Sequence, residues 1–158
     1  MSGSSTDNVE FNNIDTGTLE QSDSPEQACK FYIVGIGASA GGLEALQQFF
    51  SNMPPDNNLV FVVIQHLSPD YKSFMPELLS KHTKMKVYQV QNGMCIQPGC
   101  VYLNPPRFNI NISQGHFLLT EQEQNQKINL AIDSFFYALA NEYCEKSIGI
   151  ILSGTGTD

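Results

Sequence analysis

FYIVGIGASAGG, residues 31–42, is an apolar run that breaks into glycines around one serine. Ile33, Val34 and Ile36 suit a buried strand, and Leu43, Ala45, Leu46, Phe49 and Phe50 follow at helical spacing to about Ser51. The stretch therefore reads as strand, tight turn and helix start, with Gly35, Gly37, Gly41 and Gly42 allowing sharp bends and close backbone approach. Ser39 falls where strand becomes helix. The first N–H groups of a helix lack intrahelical partners there and the dipole favours negative charge, so the position suits a nucleophile or a bound anion.

Outward from this unit the pattern repeats. Asn52 to Asn58 is turn chemistry, and Leu59–Ile64 is a second strand, apolar on both faces as a central parallel strand should be. Gln65-His66 closes it, and Phe74, Leu78 and Leu79 mark a helix running to about His82. Two strand-helix units in succession predict a parallel sheet with right-handed crossovers. Met85–Val90 and Cys100–Leu103 read as further strands, the second ended by Pro105-Pro106. Phe108, Ile110 and Ile112 alternate with asparagines, Gln114-Gly115 turns, and His116–Thr120 returns, which predicts an antiparallel hairpin with one wet face. Asp133–Tyr143 has a helical apolar stripe, and Ser147–Leu152 reads as another buried strand. The expected fold is α/β: a three-layer α/β/α, doubly wound, mostly parallel sheet with an antiparallel hairpin, incomplete at its C-terminus. The sequence stops after Ser153-Gly154-Thr155-Gly156-Thr157-Asp158, before any helix that turn could open, so a fragment of a longer protein is expected.

Composition narrows the function. The 158 residues carry a formal net charge of −8, and residues 1–30 hold six carboxylates against Lys30 alone. An acidic surface argues against nucleic acid as a partner, since phosphate binding needs clustered Lys and Arg. Residues 1–28 are rich in Ser, Asp, Asn, Thr and Gly and are expected to be a disordered acidic leader; 29–158 form the folded domain. No apolar run approaches the roughly 20 residues of a membrane span, and the N-terminus has no signal-peptide pattern, so no membrane insertion and a cytoplasmic setting are expected. Cys29, Cys95, Cys100 and Cys144 have no metal-ligand spacing and are read as reduced thiols. No metal or organic cofactor is expected.

Three polar side chains, Ser39, His66 and Asp158, lie past the C-terminal ends of three apolar strands, the edge where ligands and catalytic groups collect in open α/β sheets. Serine as nucleophile, histidine as base and aspartate as the group that orients the histidine would supply a hydrolytic triad. Each also has an ordinary structural reading: a helix N-cap for Ser39, a strand-end histidine for His66, a turn residue for Asp158. His82 and His116 read as solvent-facing and are given no role.

Gly35-Ile36-Gly37-Ala38-Ser39-Ala40-Gly41-Gly42, Gln65-His66 and Gly149 to Asp158 resemble, in order, the motifs of the catalytic domain of chemotaxis protein-glutamate methylesterases of the CheB type. The resemblance runs from Phe31 to Asp158. It implies Ser39 as nucleophile, His66 as base and Asp158 as orienting acid, acting on glutamate methyl esters, and in many members on glutamines, of chemoreceptor cytoplasmic helices. Backbone N–H groups of Ala40 and Thr155 are the candidates for an oxyanion hole. The chain departs from the family pattern at Ala40, often threonine, at Thr155, commonly methionine, and at Ala131, where a proline is usual. The leader stands where the stand-alone enzymes carry a receiver domain, an arrangement that resembles fusions to a receptor methyltransferase domain. Two rivals remain: a catalytically silent docking or sensory module of the same fold, and a dinucleotide-binding domain, for which Gly35-x-Gly37-x-x-x-Gly41 is the only cue and an acidic residue at the end of the second strand is missing.

Overall fold

The computed structural model describes residues 31–65, 74–122 and 130–152; residues 1–30, which include the expected leader and Cys29, and 66–73, 123–129 and 153–158 lie outside the described residues. Among the described residues seven strands and three α-helices follow in the order β1 (Tyr32–Ala38), α1 (Leu43–Ser51), β2 (Leu59–Gln65), α2 (Met75–Ser80), β3 (Lys86–Gln89), β4 (Cys100–Leu103), β5 (Phe108–Ser113), β6 (His116–Glu121), α3 (Ala131–Tyr143) and β7 (Ser147–Leu152). Five strands form one sheet in the order β3-β4-β2-β1-β7, and every pairing in it is parallel. β5 and β6 form a separate antiparallel hairpin.

The period-2 pattern of the strands divides the core in two. Ile33, Val60, Val62, Ile64 and Tyr102 face α3 and the hairpin, where Phe135, Leu139, Ile110, Ile112 and Phe117 meet them. Val34, Ile36, Phe61, Val63, Val101 and Leu103 face the other way, onto Leu46 and Phe50 of α1 and Met75 and Leu79 of α2. Three layers result. α3 buries Ala131, Phe135, Leu139 and Tyr143, one stripe at four-residue spacing. On the opposite face Phe50 packs edge-on to Phe61 with ring centroids 5.4 Å apart. The hairpin turn places Gln114 at φ 49° and Gly115 at φ 75°, two consecutive left-handed residues as a type I′ connection requires. Gln114 N–H donates to Glu142 Oε1 at 2.6 Å and ties that turn to α3.

The architecture expected from the sequence is present, with three differences. Gly35, Gly37, Gly41 and Gly42 have no left-handed backbone, so none is required for a bend. The close approach also expected of them is present at Gly35 and Gly37, where space is the reason for glycine. A Cβ on Gly37 would come 2.6 Å from Ile132 Cγ2, and one on Gly35 would meet Leu139, Phe135 and Phe136 at 3.0 Å each. α2 is shorter than its periodicity suggested: it ends at Ser80, and Lys81 and His82 form a turn. β7 was expected to be buried, yet it is the edge strand of the described sheet, with Ile148 41% and Ile151 60% exposed.

Candidate active site

Parallel pairing in register brings three strand ends to one level. Ala38 at the end of β1 pairs with Gln65 at the end of β2 and with Leu152 at the end of β7. The next residues along these three strands are Ser39, His66 and Ser153. The sheet thus brings to one edge the ends of the three strands after which the singled-out residues follow in sequence. His66, Thr155 and Asp158 themselves lie outside the described residues, and only Ser39 and the backbone of Ala40 can be placed.

Ser39 is 9% exposed and extended, at φ −73° and ψ 173°, and it precedes a single 3-10 turn, Ala40–Gly42, that leads into α1. Its carbonyl accepts the Gly42 N–H at 2.9 Å. Its side chain makes no capping hydrogen bond. The structural alternative for Ser39, a serine spent on satisfying a helix terminus, is therefore not what its hydroxyl does. Ala40 opens the 3-10 turn, so its N–H lies ahead of the turn's first hydrogen bond, from Gly42 N–H to the Ser39 carbonyl. The nearest atom that a Cβ on Gly41 would meet is Ser39 Oγ, at 3.9 Å, so the missing side chain leaves space beside the hydroxyl.

Among the described residues the buried polar side chains are Ser39, Gln65 and Asn104, and they lie at or just past the same ends of β1, β2 and β4. Polar groups in a core need partners, and their gathering at one end marks that end as chemically distinct from the apolar remainder. Asn104 was not singled out by its sequence: before Pro105-Pro106 it reads as turn chemistry. Its Oδ1 accepts the Gln65 N–H at 2.9 Å and its Nδ2 donates to the Gln65 carbonyl at 3.1 Å.

The remaining titratable candidates lie elsewhere. His82 Nδ1 is 3.3 Å from Ser51 Oγ, at the end of α1 remote from Ser39. His116 Nδ1 is 2.9 Å from the Gln114 carbonyl oxygen in the hairpin turn. Cys95, Cys100 and Cys144 are free thiols. The dinucleotide reading loses two of its glycines, since Gly35 and Gly37 admit Phe135, Phe136, Leu139 and Ile132 against β1. No described helix is long and apolar enough to cross a membrane.

A parallel three-layer α/β sheet with a buried serine that makes no capping hydrogen bond, at a strand-to-helix turn on its carboxyl edge, defines a class: α/β proteins that place their chemistry at strand ends. Within that class the family model of the CheB methylesterases matches residues 34–158, and the chain belongs to that family. It is 30% identical over 131 residues to a protein-glutamate methylesterase/protein-glutamine glutaminase of Saccharophagus degradans, a match covering 80% of this chain and 37% of that protein. A protein of the same name from Xanthomonas oryzae pv. oryzae is 34% identical over 130 residues, covering 80% of this chain and 36% of that one. The solved structure of the Thermotoga maritima CheB methylesterase catalytic domain superposes with a TM-score of 0.73 at 29% identity, over 81% of this chain and 70% of that domain. The chain thus spans little more than a third of the length of the curated relatives it matches.

Proposed function

We propose that residues 29–158 form a methylesterase catalytic domain in which Ser39, His66 and Asp158 act as nucleophile, base and orienting acid on glutamate methyl esters of chemoreceptor cytoplasmic helices. One observation supports the reading: Ala38, Gln65 and Leu152 stand level on adjacent parallel strands, so the three strands after which Ser39, His66 and Asp158 follow in sequence end at a common edge, and the serine there is not used as a cap. The names of the relatives support the choice of ester and amide substrates on glutamyl side chains.

In this mechanism Ser39 Oγ attacks the ester carbonyl while its proton passes to His66. The tetrahedral oxyanion is held by the N–H groups of Ala40 and Thr155, where one such donor is typically worth about 100- to 1000-fold in rate. Collapse expels methanol, which takes the proton from His66. Water, deprotonated by His66, then releases the glutamate carboxylate and restores Ser39. A glutamine substrate follows the same path with ammonia as leaving group. A linked methyltransferase domain would be the natural counterpart, adding the groups that this site removes.

The test is methanol release from methylated receptor by the full-length protein beside its Ser39→Ala variant. Release by the parent and its loss by about 1000-fold or more in the variant is the expected result, as for removal of any triad nucleophile. A folded parent that binds methylated receptor and releases no methanol would instead identify a docking module.

A further inference from the structure

We infer that Asn104 is a positioning residue for the general base, holding the backbone from which His66 departs; this rests on the assignment of His66 as base. β2 and β4 run parallel with Val63 opposite Leu103, and Asn104 N–H donates to the Val63 carbonyl at 3.1 Å. Continued by one step, that ladder would have residue 106 donate to the Gln65 carbonyl. Residue 106 is a proline and has no N–H to give.

The Asn104 side chain takes over at that point. Its amide presents an acceptor and a donor with the spacing of a peptide group, and it engages both the N–H and the C=O of Gln65, at 2.9 and 3.1 Å. Both residues are 5% exposed, so water does not compete for these bonds. A two-point clamp holds both peptide groups that flank the Gln65 Cα, including the one that joins Gln65 to the next residue. The next residue is His66. A catalytic base must lie within hydrogen-bond reach of its nucleophile, and small displacements at such a distance lower rates steeply. Asn104 touches neither substrate nor Ser39 in this account. It acts through the backbone of β2.

The experiment follows labelling of Ser39 by a fluorophosphonate, in which Ser39 Oγ bonds to phosphorus, fluoride leaves and the serine proton passes to His66. The full-length protein, Asn104→Ala and Asn104→Asp are compared across pH, with the modified residue identified by mass spectrometry and folding followed by circular dichroism. Asn104→Ala is expected to label about 10- to 100-fold more slowly while folded, with a displaced pH profile. A role confined to stability would lower the melting temperature and leave the rate and pH profile of the folded protein unchanged, and that result overturns the proposal.

Should Asn104→Ala fail to fold, Asn104→Asp keeps the shape and the acceptor but, once ionised, cannot donate to the Gln65 carbonyl. Its rate relative to the parent should rise as the pH falls and its carboxyl regains a proton; a ratio constant with pH contradicts the clamp. A folded parent that is not labelled at Ser39 refutes the triad itself, and the positioning role with it. Labelling of the parent with unchanged variants refutes the positioning role alone.

Discussion

Tyr102 shows at the level of one side chain how this core handles a polar atom. Its ring is 1% exposed, packed against Phe117 with centroids 4.8 Å apart, and its hydroxyl oxygen accepts the Gln97 N–H at 3.0 Å. Burial disfavours the phenolate and pushes the Tyr102 hydroxyl up from 10.0 to about 12. The unfolded chain therefore releases this proton at a lower pH than the folded one. The stabilising contribution is complete below pH 10 and is lost as pH rises through about 12. Its full size is on the order of 3 kcal/mol. Urea titrations at rising pH should show stability falling across this window in the parent and falling less in Tyr102→Phe. Equal slopes would mean that other groups dominate alkaline unfolding. At this scale Ser39 was legible in the sequence because glycines and an apolar strand bracket it. Asn104 was not, because its importance comes from a proline two residues on meeting a carbonyl on another strand.

The element most dependent on small residues is β1 beneath α3. Gly37 leaves no room for a methyl group: a Cβ would lie 2.6 Å from Ile132 Cγ2 and 2.8 Å from Ile151 Cδ1. Gly37→Ala must push α3 away from the sheet or force Ile132 off its rotamer, and such overpacking costs about 1–3 kcal/mol. Ile132→Ala removes the obstructing branch, so the double variant should lose less stability than the two single changes together predict, measured as a thermodynamic cycle. Strict additivity would show that the helix accommodates the methyl by another route. The same glycine explains what the sequence conveyed and what it did not. Its place in an apolar run announced a strand and a turn, while the helix that lies on it begins at Ala131, far along the chain. Periodicity likewise located α3, whose own apolar stripe is long, and overextended α2, where Lys81 and His82 follow Leu78 and Leu79 without continuing the helix.

For the molecule as a whole, the strand run Ser147–Leu152 is the instructive case. Its apolar residues on both faces predicted a buried strand, yet a run of side chains does not say how many neighbours a strand will have. Here β7 pairs with β1 on one side, and among the described residues no strand pairs with its other side. The unpaired side of β7, with Ile148 and Ile151 exposed and no charge or proline between Ser147 and Leu152, is where a further strand would pair, whether from elsewhere in the same protein or, in the 158-residue chain by itself, from a second copy. The net charge of −8 opposes such contact through mutual repulsion. Protonation of carboxylates weakens that repulsion, so light scattering should show the parent associating as the pH is lowered from neutral. Ile151→Lys places a charge on the edge at a position 60% exposed, where loss of the isoleucine costs little packing. It also brings the net charge one unit closer to zero, which by itself would favour association. Reduced scattering in the variant would therefore locate the contact at β7, whereas scattering equal to or above the parent's would show that overall charge governs association and that this edge does not.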